Sequence, residues 1–277
     1  MLKIVVAIAA IALVALLLSG CVERMFFYPD SARYTQPQQF GLQHEDVFFD
    51  AEDGSQLHGW WLPAKGAALG SVLHLHGNAA NVSNHLPLVA WLPPAGFNVL
   101  MLDYRGFGRS QGRPSLDGVV ADAAAALGYL RSRPGIDAGR LIVLGQSLGG
   151  ATALRLLARD SAGVRLAVIE AAFASYRGIA RDAAIGSVVL APLLPLALPT
   201  LPPARDDPVT ALASVPVPLL LVHGTADEVI PVAHGERLHA VAPRAEFIRV
   251  DGARHMESLM RPDVQRRVLA VMVESVR

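Results

Sequence analysis

Cysteine is nearly missing from this chain. Cys21 is the only one in 277 residues. An intramolecular disulfide and a zinc site of the Cys-x-x-Cys type are therefore excluded. Lysine is almost as scarce, with only Lys3 and Lys65, and the other fixed cations are arginine. Neither sign of charge prevails, because Lys plus Arg and Asp plus Glu each number 24. With no basic excess and no charged run, nothing points to nucleic acid or to a polyanionic partner. A Gly-x-x-x-x-Gly-Lys phosphate cradle, a His-Glu-x-x-His pair and internal repeats are also lacking. GFGRSQG at 106–112 is out of register for a dinucleotide loop, since the third glycine would have to stand at Gln111; a strand-end turn is predicted. His74 and His76 would share one strand face, but no neighbouring carboxylate completes a ligand set, so no metal is expected. What the chain does have is apolar residues, 52% of the total, enough for a sizeable core.

Some of that apolarity is an address. After Lys3 comes an unbroken apolar run from Ile4 to Leu18, then Ser19, Gly20 and Cys21. A charged start, a short apolar stretch and small residues at a cut point make up the layout of an export segment. Leu18-Ser19-Gly20-Cys21 resembles the bacterial lipobox. The resemblance implies a signal peptide over 1–20, lipidation of Cys21 and attachment to a membrane through that lipid. Val22 in place of an aspartate favours, by the same resemblance, the outer membrane and a periplasm-facing protein. An uncleaved anchor and an ordinary signal peptide remain open, the first because the run approaches the ~20 residues a spanning helix needs. All three put the globular part outside the cytoplasm. Residues 21–40 carry Pro29 and Pro37 and are expected to be a tether with little regular structure. The domain proper is expected over 41–277.

From residue 45 the pattern is α/β. EDVFFDAEDGSQLHGWWLPA predicts two strands turning at Asp53-Gly54. SVLHLHGN (71–78), NVLMLDYRG (98–106), LIVLG (141–145), LAVIE (166–170), PLLLVHG (218–224) and FIRV (247–250) predict six more. Helical stretches are expected at 115–132, 149–159, 233–242 and 262–275. Short apolar strands alternating with helices predict a mostly parallel, eight-stranded sheet covered on both faces. Polar and glycine residues gather at the carboxyl ends of these strands, where such sheets build their sites. From 172 to 213 the rhythm stops. VVLAPLLPLALPTLPP at 188–203 has too many prolines for one long helix, so a small apolar cap is expected there rather than a membrane span.

The residues that carry chemistry stand at strand ends. In LIVLGQSLGGATAL (141–154) an apolar strand meets Gly-x-Ser-x-Gly and then a small-residue helix. That context lets Ser147 project from a sharp turn while Gly145 and Gly149 make room for it. A serine hydroxyl needs a base. His255, in DGARHME after the last strand, lies on the same sheet edge. His223 sits inside a strand end, His85 is less well placed, and His44, His58, His234 and His239 are read as surface histidines. Asp227, in HGTADEVIP, is the acid that would orient the base; Glu170 is the other carboxylate considered, and the adjacent Glu228 should point away. The order Ser147, Asp227, His255 is the one expected of this type of fold. Backbone N–H groups of Leu148 and Asn78, or of Ala79 in place of Asn78, would bind an oxyanion. Asp103 and Arg105 are expected to brace a turn, and Trp60 and Trp61 to fill core and rim.

LHLHGNAAN, DYRGFGRSQG, GQSLGG, HGTADEVIP and GARH together resemble the α/β-hydrolase superfamily, from about residue 40 to the end. Within it they resemble bacterial hydrolases of the serine-aminopeptidase-like group and the eukaryotic alpha/beta-hydrolase-domain protein depalmitoylases. The resemblance implies a serine hydrolase of carboxylic esters or thioesters, acting without a cofactor on a small-molecule or acylated substrate. A peptidase of the same fold and a silent lipoprotein that binds a lipid or protein partner are the alternatives.

Overall fold

The computed structural model describes residues 26–185 and 190–277, so the expected signal peptide over 1–20 and Cys21 lie outside the described residues. Its centre is an eight-stranded sheet. The strands are β2 (Glu45–Asp50), β3 (Gln56–Leu62), β4 (Gly70–Leu75), β6 (Phe97–Asp103), β7 (Leu141–Gln146), β8 (Val164–Glu170), β9 (Leu219–Gly224) and β10 (Glu246–Val250). They lie in the order β10-β9-β8-β7-β4-β6-β3-β2. β3 runs antiparallel to both its neighbours, and every other pairing is parallel. All eight expected strands are present. β1 (Tyr28–Pro29) and β5 (Ala79–Ala80) form a separate two-residue pair.

Continuous apolar runs become strands here because both sheet faces are covered. Along β7, Leu141 and Val143 join one core while Ile142 and Leu144 join the other. β4 divides in the same way, with Leu73 and Leu75 on one side and Val72 on the other. The helices follow this split. α1 (Val82–Val89) and α8 (Pro262–Ser275) contribute Leu86, Val268 and Met272 to one layer. α2 (Gly118–Ser132) and α3 (Leu148–Leu157) contribute Leu127 and Leu154 to the opposite one. The chain first moves from β4 to β6 on one side and then returns to β7 on the other, so the order reverses around β4. Open α/β sheets leave a crevice at the carboxyl ends of the strands at such a reversal.

α1 was not among the expected helices, and Pro87 lies inside it. A proline has no N–H for the carbonyl four residues back, here that of Ser83. The Thr35 hydroxyl donates to that carbonyl instead, and Asn81 caps the helix by accepting from Ser83 N–H. The described part of the expected tether is accordingly packed onto the domain. Phe27 is buried beside Phe107, Phe26 meets Phe173 and Tyr176, and Asn81 Nδ2 donates to the Asp30 carboxylate and the Ala32 carbonyl. Regular structure in 26–40 is limited, as expected, to β1 and one 3-10 turn (Pro37–Phe40).

Between β8 and β9 there is no strand among the described residues. The segment holds α4 (Tyr176–Ala184), α5 (Leu190–Ala197) and α6 (Pro208–Leu212), with short 3-10 turns between the last two. Tyr176 N–H donates to Asp207 and Val209 N–H to the Ala174 carbonyl, so the two ends of this excursion are tied together. α7 (Ala233–Val241) joins β9 to β10. Among the described residues no helix is long and apolar enough to cross a membrane.

Candidate active site

Ser147 occupies the corner between β7 and α3 with φ 55° and ψ −119°, a conformation that costs a non-glycine residue on the order of 1–3 kcal/mol. Its neighbours show why the flanking glycines are needed. A Cβ on Gly149 would fall on the Leu75 carbonyl at the end of β4, and one on Gly145 would fall on the Gly149 carbonyl. Strand end and helix start are thus packed backbone to backbone. Ser147 N–H donates to the Glu170 carbonyl at 2.8 Å, which holds the corner against β8. The other non-glycine residues with positive φ among the described residues are Ala80, Ala171 and Met256. They follow β4, β8 and β10, and Met256 is adjacent to His255. Backbone strain therefore gathers at one edge of the sheet, as it does around functional sites.

At that edge three expected side chains meet. Ser147 Oγ lies 3.1 Å from His255 Nε2, and His255 Nδ1 lies 2.8 Å from Asp227 Oδ2. The other carboxylate oxygen of Asp227 accepts Val229 N–H at 2.9 Å and Ile230 N–H at 2.8 Å. Burial works against a charge on Asp227. The His255 hydrogen bond and charge, followed by Ile230 N–H, outweigh it and hold the carboxyl below its usual range. An ionised Asp227 leaves Nδ1 of His255 as the donor, so Nε2 is free to accept the serine proton. Chemically the row can raise the nucleophilicity of one hydroxyl.

The residues expected to bind an oxyanion are next to Ser147 in the chain or in the turn beside it. Leu148 is the first residue of α3, where helix geometry leaves N–H groups without intrahelical acceptors. A Cβ on Gly77 would lie 3.6 Å from Ser147 Cβ, so the turn that carries Asn78 runs beside the hydroxyl. Neither Leu148 N–H nor Asn78 N–H has a protein acceptor outside regular structure among the described residues. The Asn78 carbonyl accepts Tyr28 N–H, which fixes the turn from the other side.

Glu170 is occupied elsewhere. Its carboxylate accepts Gln146 Nε2 and Leu259 N–H, while Gln146 Oε1 faces His74 Nε2 at 2.8 Å. Burial raises its pKa, with the Gln146 and Leu259 bonds opposing. It links the residue before Ser147 to the loop after His255, a connection the sequence did not reveal. Burial also brings His74 down to about 3, keeping it neutral. His76 and His85 stack at 4.8 Å beside the same turn, both lowered, again mainly by burial. Among the described residues no group of three or more His, Cys, Asp or Glu side chains could hold a metal ion.

Two histidines expected at the surface are buried. His58 lies between Asp103 and Asp46 at 2.6 and 2.8 Å. His234 Nδ1 accepts Ala174 N–H, and its Nε2 therefore donates to Asp182 at 2.7 Å. Their partners lie 45 and 52 residues away for Asp103 and Asp182, out of reach of any local pattern. Asp103 also accepts Val82 N–H, and Arg105 pairs with Asp122 and Asp53, so both brace their turn. Trp60 and Trp61 are both buried. Glu228 points away, 3.8 Å from Arg254.

Residues 66–213 match the family described as serine aminopeptidase, S33; the match ends before Asp227 and His255. YfhR of Escherichia coli (strain K12) is 38% identical over 261 residues, which are 90% of this chain and 86% of YfhR. The alpha/beta hydrolase domain-containing protein WAV2 of Arabidopsis thaliana is 31% identical over 80% of this chain and 75% of its own. Among solved structures, the Pyrococcus furiosus esterase Pf2001 superposes with a TM-score of 0.73 at 20% identity, over 91% of this chain and 97% of the esterase. The sheet and its helices thus form the α/β-hydrolase fold.

Proposed function

The chain belongs to the serine aminopeptidase S33 family of α/β hydrolases, and from that premise we propose that it hydrolyses carboxylic esters or thioesters through an acyl-enzyme. The observation that carries this reading is the pair of hydrogen bonds joining Ser147 to His255 and His255 to Asp227. Ser147 Oγ attacks the acyl carbonyl carbon as His255 Nε2 takes its proton. The N–H groups of Leu148 and Asn78 receive the negative charge that develops on the carbonyl oxygen. As the tetrahedral centre collapses, His255 returns the proton to the departing alcohol or thiol. Water, deprotonated by the same imidazole, then releases the acid and restores Ser147. Each step needs only groups of the chain itself and water.

A fluorophosphonate probe tests the nucleophile. It should attach to Ser147, located by peptide mass spectrometry, and labelling should disappear in Ser147→Ala. A folded protein that takes up no label would favour the silent lipoprotein. The description of the family favours a peptidase as second reading; aminoacyl anilides assayed beside acyl esters separate the two. The apolar composition of 188–203 suits an acyl chain. Turnover should rise from acetyl to octanoyl esters, about tenfold or more if only two methylenes are newly buried at ~0.8 kcal/mol each. Equal rates for the two esters would remove the cap from the acyl site.

A further inference from the structure

The N-terminal segment enters the domain at the rim of the Ser147 site. β1 pairs with β5, so Tyr28 stands opposite Ala79, the residue after Asn78. Two residues earlier, Phe26 packs on Phe173 and Tyr176, where the excursion between β8 and β9 begins. The link from Cys21 to Phe26 is short. Cys21 precedes Phe26 by five residues, which span at most about 18 Å when fully extended. Before Cys21 lies the apolar run 4–18. An anchor in that run, or a lipid on Cys21, would keep this rim close to a bilayer.

The surface around the entry point has the matching chemistry. Residues 183–204 include no Asp, Glu, Lys or Arg. Of the described side chains there, Ile185 is 77% exposed, and Ala191, Pro192, Pro195 and Pro199 are exposed too. Tyr28, on the rim itself, is 59% exposed, and Val229, two residues after Asp227, also 59%. Exposed Arg177 and Arg181 precede the uncharged stretch and exposed Arg205 follows it, while the acids beside them, Asp182, which is paired with buried His234, and Asp206, are only half-exposed. An apolar surface edged with arginines matches the boundary between acyl chains and anionic headgroups.

We infer that this face docks on the bilayer that holds the N-terminus, and that the substrate is an ester whose acyl chain lies in that leaflet. The inference rests on the acyl-hydrolase reading and names its substrate class. The N-terminal attachment supplies orientation as well as location, turning the mouth of the site toward the lipid.

The test uses the full chain reconstituted in vesicles of phosphatidylcholine and phosphatidylglycerol with brominated acyl chains. Ile185→Trp places a quenchable indole on the proposed face. Leu69→Trp places one at the amino end of β4, away from the carboxyl edge that holds Ser147. The added emission should fall about twofold for Ile185→Trp, whose indole would sit at the depth to which interfacial apolar faces sink, and stay unchanged for Leu69→Trp. Ile185→Glu should slow hydrolysis of a vesicle-borne long-chain ester about tenfold, the loss of one buried aliphatic side chain, and leave a soluble butyrate ester unaffected. Equal quenching at both positions, quenching at Leu69→Trp alone, no quenching at either, or equal loss on both esters would overturn the orientation. Failure of the full chain to float with the vesicles would overturn it as well. Fluorophosphonate labelling of the same vesicles separates this outcome from the parent reading: labelled Ser147 without quenching refutes only the docking, whereas absent labelling refutes the hydrolase.

Discussion

Ser147→Ala should cut ester turnover by about four to six orders of magnitude, the range seen when the nucleophile of such a row is deleted. Only Oγ is lost, from a side chain that is 6% exposed and whose hydrogen-bond partner is His255. Folding should survive, since alanine meets the same backbone constraint as serine at φ 55°. His255→Ala should cost a similar amount, and the double variant little more than either alone. Groups that act as one unit fail together, so the second deletion finds nothing left to remove. Losses that multiply across the two variants would mean that Ser147 and His255 act independently, and the mechanism would be wrong. Initial rates on an activated acyl ester, with thermal unfolding curves for each variant, supply the comparison. Ser147→Gly adds a second readout. The pair φ 55°, ψ −119° mirrors an ordinary extended conformation, which glycine adopts freely and any other residue only under strain. That variant should be inactive yet melt above Ser147→Ala, with strain of about 1–3 kcal/mol partly relieved.

How far the sequence reached follows from the range of the forces involved. The inner strands were legible because they are buried on nearly all sides and read as apolar runs of six or seven residues, whereas the edge strand β2, largely exposed, was legible through its turn with β3 at Asp53-Gly54. LIVL at 141–144 feeds two cores alternately, and nothing remote is needed to see it. The row of Ser147, Asp227 and His255 was legible because each residue closes a strand of one parallel sheet, and parallel strands bring their carboxyl ends together. The failures share a different cause. α1 was hidden because Pro87 discourages a helix locally, and the compensating donor, Thr35, comes from 48 residues earlier. His58 and His234 looked like surface residues because their carboxylates sit on other elements. Phe26 and Phe27 looked like tether because their aromatic partners are Phe107, Phe173 and Tyr176. Glu170 was weighed as a catalytic acid on position alone; its bonds to Gln146 and Leu259 instead brace the serine corner against the histidine loop.

That division of labour between two carboxylates yields the last large effect. Asp227→Asn should lower turnover by about 10⁴, for a reason visible in its hydrogen bonds. The oxygen that accepts Val229 and Ile230 N–H must remain an oxygen, because an amide NH2 there would meet two donors. The NH2 of the asparagine is therefore directed at His255 Nδ1. A donor at that position makes Nδ1 an acceptor and moves the imidazole proton to Nε2, which then cannot take the proton of Ser147. Glu170→Gln, by contrast, should leave the tautomer of His255 unchanged and cost far less in kcat. A larger loss for Glu170→Gln than for Asp227→Asn would reverse the two roles. Stability offers an independent check. The Asp227 carboxyl lies below its usual range despite burial, through the bond and charge of His255. A lowered carboxyl adds stability that is present above its unfolded pKa and is lost as pH falls through its folded one. The wild type should thus outlast Asp227→Asn in denaturant near neutrality, and the gap should narrow as pH falls from about 5, where an unfolded aspartate begins to take up its proton, through its folded pKa.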